Sequence, residues 1–279
     1  MLCAKMQHVG IALPHLSHMH QPRSSLSITL SVWRALLLRE SLSRLFSRRA
    51  AWAWLLLEPV ANMAFMVLIF TVIRVRQVGG IETGLWLIIG FLGFFFFRRT
   101  GNQGSNAISA NRSLFAYRQV KPVDTVLMRA ALEGLLMLMV SLLVLIGGAL
   151  LGLHVLPSAP LAVMEAVFGL WLLGLGFGLV VSVIKELAPE LDNLLDMVMM
   201  PMMMISGVIL PLSAVPHPYR EWLMYNPVAH GLEAARLGFA PYYHAAPELS
   251  LPYLYGCALV SLFFGLALHA RFAQKLMTQ

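Results

Sequence analysis

A histidine, a glutamate and an arginine recur every three residues at His230, Glu233 and Arg236. That spacing puts them along one face of a helix. An imidazole beside a carboxylate is a pairing that general acid–base chemistry uses. It is also an ordinary helix-surface pair, and the sequence leaves both readings open. Other stretches invite metal chemistry. "HLSHMH" (His15–His20) gathers ligand types, and "MVMMPMMMI" (Met197–Ile205) offers thioethers of the kind that suit Cu(I). The histidine cluster reads as part of an irregular tail, because such short motifs often match by chance. Consecutive methionines point all around a helix, so packing around Pro201 is the favoured reading over a copper transporter. "GLGFG" (Gly174–Gly178) resembles a dinucleotide loop but lies inside a long apolar run, where glycines let helices approach closely. Gly148 and Gly152 repeat the spacing. Glu58, Glu133 and Glu165 sit in or near apolar runs, which makes them functional candidates, although each falls close to a run's end. A phosphate-cradling loop needs Gly-Lys-Ser/Thr, and none of Lys5, Lys121, Lys185 and Lys275 follows a glycine.

These residues must be positioned by apolar elements. Hydrophobic residues make up 59% of the 279 and charged residues 12%, about half the charge of a soluble domain. A bilayer core about 30 Å thick needs about 20 apolar residues in a helix. Six runs qualify: Trp54–Ile73, Gly84–Phe97 with its flanks, Ala131–Leu153, Leu161–Ile184, Leu195–Pro211 and Tyr253–Phe272. They are continuous, which excludes a closed barrel of alternating strands. Cys3 and Cys257 suggest neither a disulfide framework nor a metal site.

The net charge of +7 is unevenly placed. Lys5, Arg23, Arg34, Arg39, Arg44, Arg48 and Arg49 precede the first run. Arg98, Arg99, Arg112, Arg118, Lys121 and Arg129 flank the second loop, and Arg271 and Lys275 follow the last run. With six spans these fall on one side, so both termini and that loop are expected in the cytoplasm. Topology explains the basic charge, and nucleic acid is not invoked. Ser24–Ala50 interleaves leucines with arginines and reads as a helix at the membrane surface, with anchoring to lipid head groups and docking of a partner both open. In the loop, "LFAYRQVKP" mixes aromatics with cations as a docking surface does. Asp124 is expected to cap the following helix, and Arg129 and Glu133, four apart, are expected to pair. In the outer stretch Asn226 reads as an N-cap, Pro227 as the first helical residue and Gly238 as the residue just past the end. Two short helices joined there form a hairpin that dips into the membrane or rests on it.

The stretches "ALLLRESLSRLFSRR" and "WLLLEP" (Ala35–Pro59), "NAISANRSLFAYRQVKPVDTVLMRAALE" (Asn106–Glu133), "SGVILPLSAVP" (Ser206–Pro216) and "YNPVAHGLEAARLGF" (Tyr225–Phe239) resemble, in order, the membrane subunits of ABC-2 type exporters, specifically capsule-polysaccharide permeases of Gram-negative bacteria. The resemblance implies an all-α inner-membrane protein. It would have six transmembrane helices, an N-terminal amphipathic interface helix (26–50) after an irregular tail (1–25), and a periplasmic re-entrant hairpin between spans five and six of a transmembrane domain (51–279). It further implies a homodimer with two copies of a separate ATPase that binds ATP and Mg, so this chain holds no cofactor. Arg39, Arg44, Phe115, Tyr117, Arg118 and Lys121 would meet the ATPase. Trp222, Tyr225, Asn226, Pro227, His230, Glu233 and Arg236 would flank the exit. Arg74, Arg76, Trp86, Arg98 and Arg99 are expected along the substrate path, where cations attract carboxylates and aromatics stack on sugars. A periplasmic co-polymerase or adaptor, an outer-membrane channel and a lipid-linked acidic polysaccharide complete the implied system. Another cargo (O-antigen, teichoic acid or a drug) and a membrane-embedded glycan enzyme using His230 and Glu233 are the rival readings.

Overall fold

The computed structural model describes residues 25–46, 51–72, 77–117 and 119–278. The tail with its histidine cluster, Arg48, Arg49, Arg74, Arg76 and Arg118 lie outside the described residues. The chain is overwhelmingly helical. In order come α1 (Ser25–Phe46), α2 (Ala51–Val72), a two-stranded antiparallel ribbon of β1 (Gln77–Val78) and β2 (Ile81–Glu82), and α3 (Thr83–Ser105). Next are α4 (Ala107–Ala110), α5 (Pro122–Leu150), α6 (Pro160–Leu187) and α7 (Asp192–Ile205). The chain closes with α8 (Tyr219–Leu223), α9 (Pro227–Phe239), α10 (Leu251–Arg271) and α11 (Ala273–Thr278). Among the described residues α3, α5, α6 and α10 are long and apolar enough to cross a membrane.

Local chemistry explains most of the helix starts. Proline occupies the first turn of α5, α6, α9 and α10, where its missing N–H is not needed. The Asn226 side chain accepts from Val228 N–H at 3.1 Å and Ser250 from Tyr253 N–H at 3.4 Å. Asp124 lies three steps further in than expected, with Lys121 at the N-cap position. It occupies the third position of α5, and its carboxylate reaches back to Lys121 N–H at 3.3 Å. Gly238 is likewise not the residue beyond α9. The helix continues through Phe239 because the chain before α6 satisfies its end: Ala159 N–H donates to Gly238 O at 2.8 Å. Gly238 is small because a Cβ there would meet Val163 at 2.6 Å.

The core is built on α3, which is enclosed on almost every side. It runs beside α6 in the same direction, and the glycines of "GLGFG" form the seam. A Cβ on Gly174 would lie 2.6 Å from the Phe97 carbonyl oxygen, and one on Gly178 would lie 3.2 Å from Gly104 Cα. α10 follows the other flank of α6, with Leu254 against Gly169 and Ser261 against Gly176. α5 returns antiparallel, and Trp171 Nε1 donates to Ala130 O at 2.9 Å. Gly152 does not extend the packing face of Gly148. It lies past the end of α5 at φ 86° with nothing near its Cβ position, and Leu153 N–H closes the helix onto Gly148 O at 3.0 Å. Hereafter the basic end is the end where α3 and α6 finish and α5 begins; the far end is its opposite.

Two elements are irregular. α7 has 14 residues with Pro201 inside, about 21 Å of helix, and stops at Ser206 before Gly207 at φ 77°. α9 is wedged between α3 and α6, with Leu232 against Gly93 and Leu170 against Gly231.

Candidate functional site

At the basic end, charge from α1 and α3 converges on α5. Glu133 is fully buried, and both its oxygens are claimed. Arg44 of α1 bonds Oε1, and Arg99 of α3 lies 3.4 Å from Oε2. Arg44 also holds Glu40 at 2.8 Å and Gln103 of α3 at 2.7 Å. Arg129 does not pair with Glu133 as helix spacing predicts. It turns to Glu40 of α1 at 2.9 Å and donates to Asn106 O at 2.9 Å. Burying such charges is costly; Glu133, Arg44 and Glu40 satisfy one another, whereas Arg129 Nε lies beside Glu40 as an ion pair without the alignment of a hydrogen bond. Trp33 Nε1 donates to Asp124 at 2.9 Å and Arg39 to the Asn111 side chain at 2.9 Å, which ties α1 to the first turn of α5 and to the loop before it. The loop itself is bolted to α6 through Arg112–Glu186 at 2.5 Å and Lys185–Asn106 at 3.0 Å.

Of the expected ATPase-contact residues, Tyr117 is 66% exposed and Lys121 is exposed. Phe115 is half-buried and packs against the cluster of Ala107, Ile108, Val126 and Leu179, so it anchors the loop from beneath. Arg39 and Arg44 face the loop and the bundle. Arg98 is half-buried near Arg99.

Nearer the far end, a second cluster centres on Glu233 and Arg236, both fully buried and 2.9 Å apart. Glu233 accepts from Arg236 and Tyr243 at Oε1, each at 2.9 Å, and from Ala246 N–H at Oε2 at 3.0 Å. Arg236 lies 3.8 Å over the Trp86 ring and donates to Gly207 O at 2.9 Å. It thereby caps the broken end of α7, where helix carbonyls carry partial negative charge. A Cβ on Gly90 would meet Arg236 Nη2 at 2.6 Å, so that glycine makes room for the guanidinium. Burial pushes the Tyr243 phenol up to about 12, which keeps it a donor. His230 donates from Nε2 to Met224 O at 2.7 Å and accepts Ser250 N–H at Nδ1 at 3.0 Å, the pattern of a neutral ring. Asn226 joins in through Ser206 Oγ at 2.8 Å.

His230, Glu233 and Arg236 therefore face the subunit interior, with both ring nitrogens of His230, both oxygens of Glu233 and the terminal nitrogens of Arg236 committed to structural bonds. Trp86, expected on a substrate path, is buried beneath Arg236. Trp222 and Tyr225 are exposed, Trp222 edge-on to Tyr219 at 5.6 Å. Sequence reasoning missed Gln103, Asn111, Tyr243 and Trp33. None stands at helical spacing from its partner; Trp33, a tryptophan in an arginine-rich helix, carried the best signal.

Comparison with known proteins accounts for this architecture. Residues 31–240 match the ABC-2 type transporter family model. The chain is 33% identical over 256 residues to the polysialic acid transport protein KpsM of Escherichia coli, covering 92% of this chain and 99% of that one. It is 28% identical over 259 residues to the capsule polysaccharide export inner-membrane protein CtrC of Neisseria meningitidis, covering 91% and 96%. It is 24% identical over 217 residues to the corresponding protein BexB of Haemophilus influenzae, covering 78% and 82%. A helical bundle with a charged cluster at its basic end, matched by one family model over most of its length, belongs to the ABC-2 type transporter family.

Proposed function

We propose that this chain is the membrane permease of an ATP-driven exporter that moves capsular polysaccharide across the inner membrane. It is a transport subunit and not an enzyme; ATP and Mg are bound by a separate ATPase subunit. The observation that carries the reading is the tie between α1, the 106–121 loop and the ends of α3, α5 and α6. A merely connecting loop needs no such anchoring, whereas a surface that is pushed by a partner does. Tyr117 and Lys121 stand out from that anchored loop, an exposed aromatic beside a cation, as interface hot spots often do.

The finer reading follows. α2 and α7 complete six spans, with α7 finishing short and α8–α9 forming a re-entrant hairpin. That arrangement is supported by the depth at which α9 packs: Gly93 is ten residues from the start of α3, about 15 Å. Both termini and the basic end lie in the cytoplasm and the far end in the periplasm. Two copies form a homodimer with two ATPases, and a co-polymerase or adaptor and an outer-membrane channel continue the route. The cargo is a lipid-linked acidic glycan, with Arg98 and Arg99 near its entry and Trp222 and Tyr225 near its exit. Asn226, Pro227, His230, Glu233 and Arg236 hold the exit hairpin in shape from within.

Reconstitution of the permease with its ATPase and defined glycolipids tests this. ATP-dependent passage of an acidic capsular glycolipid is expected, and the Tyr117→Ala variant should insert normally but recover less ATPase on purification. Transport of other cargoes with capsular glycolipid left behind would overturn the assignment.

A further inference from the structure

The five charges at the basic end form an alternating line: Arg99 on α3, Glu133 on α5, Arg44 and Glu40 on α1, and Arg129 on α5. We propose that α1 is a detachable arm and that Arg129 is its switch, bound to Glu40 when the arm is down and to Glu133 when it lifts. The proposal rests on the reading of α1 and the loop as the ATPase contact.

Consider what lifting α1 removes. Arg44 and Glu40 leave together, so no net charge is withdrawn from the ion line itself. Glu133 stays behind, buried, and an unpaired carboxylate there would be strongly disfavoured. Two arginines stay with it. Arg99 is already 3.4 Å away. Arg129 is four residues earlier on the same helix, within reach of Glu133 along one face. Its Nε faces Glu40 while its Nη1 donates to Asn106 O at 2.9 Å, which gives the guanidinium a pivot to turn about. The pair that helix spacing alone predicts is thus the arm-up state, and the observed Arg129–Glu40 pair is the arm-down state. Both states leave Glu133 satisfied, which is what a bistable contact requires.

The rest of α1 is built to let go. Leu36 is its one fully buried apolar side chain among the described residues, whereas Leu26, Leu30, Leu38 and Leu42 are exposed. Besides the ion line, side-chain hydrogen bonds from Trp33 and Arg39 tie it to the loop and to α5. A helix held by polar contacts can separate without uncovering a large apolar face.

The test uses the complete transporter with Cys3 and Cys257 replaced by serine and spin labels at Leu42→Cys on α1 and Leu135→Cys on α5, both exposed positions. Pulsed electron paramagnetic resonance should give one α1–α5 distance without nucleotide and a second, longer population with it. Glu40→Gln frees Arg129 from the arm and should raise the longer population even without nucleotide. Arg129→Gln removes a contact from both states, but with the arm down Glu40 and Glu133 still share Arg44, whereas with it lifted Glu133 keeps only Arg99, so the longer population should fall with nucleotide. Deuterium uptake across residues 31–44 in unlabelled protein gives the same readout without the labels. One unchanged distance throughout an exporting cycle, or shifts of the same sign in both variants, overturns the switch. Recovery of the ATPase in the same preparations reads the docking assignment separately: failure of wild-type protein to retain the ATPase counts against that assignment.

Discussion

Glu233 is held by a guanidinium, a phenol and a backbone amide, and Arg236 lies between that carboxylate, an indole face and a helix end. Such a knot is sensitive to losing one member. Glu233→Ala is expected to cost about 3–5 kcal/mol, because it strands a buried cation. A lowered unfolding temperature in detergent and reduced export would register it. Arg236→Lys should not restore the wild-type values, since a compact ammonium cannot stack and fork at once. The loop before α10 offers a pH prediction. Hydrogen bonds from Arg220, at 2.8 to 3.1 Å, hold the Glu248 carboxyl below the usual carboxylate range. A depressed folded value stabilises above the unfolded value and fades as pH falls through the folded one. Amide protection around residues 245–249 should therefore stay flat down to about pH 4 and decline only below it. At this scale the sequence was half legible. Spacing along one helix revealed the Glu233–Arg236 pair. It misassigned Arg129, because the preferred partner Glu40 lies on a helix 89 residues away, and periodicity describes only neighbours on the same element.

Elements were more legible than residues, for a physical reason. Apolar runs must form helices in lipid, so length and composition give α2, α6 and α10 to within a turn at each end, whereas α3 and α5 extend more than two turns beyond their apolar runs at the basic end, where polar residues continue the helix. The run Leu195–Pro211 misled, since it is apolar throughout yet the helix ends at Ile205. What ends it is not polarity but Gly207 in a left-handed conformation, with its carbonyl turned to Arg236. Nothing in local sequence names that distant guanidinium. The glycine motif, by contrast, was readable once placed inside a span. Gly174→Ala puts a methyl against the Phe97 carbonyl, a backbone atom that cannot step aside. A loss of about 1–3 kcal/mol is expected, seen as a lower unfolding temperature. Gly147 on α5, with open space at its Cβ, should accept alanine without loss.

For the whole molecule, charge asymmetry sets the orientation argument, and position 244 tests it. His244 is exposed at the far end, and Ser109 at the basic end. A cysteine at 244 should react with an impermeant reagent from the periplasm, and a cysteine at 109 only after the inner membrane is opened. Reversed labelling would invert the topology. The glycine seam between α3 and α6 has a consequence of another kind. At Gly104 and Gly178 the two backbones touch, with a Cβ on either glycine 3.2 to 3.3 Å from the other's Cα. A water molecule cannot enter there, and a file of waters is what conducts protons. The inner membrane stores energy as an ion gradient, and an exporter that opens a route wide enough for sugars risks discharging it. The seam leaves no room for such a file, so a route for a hydrated glycan is expected along the subunit's edge and not between these two helices.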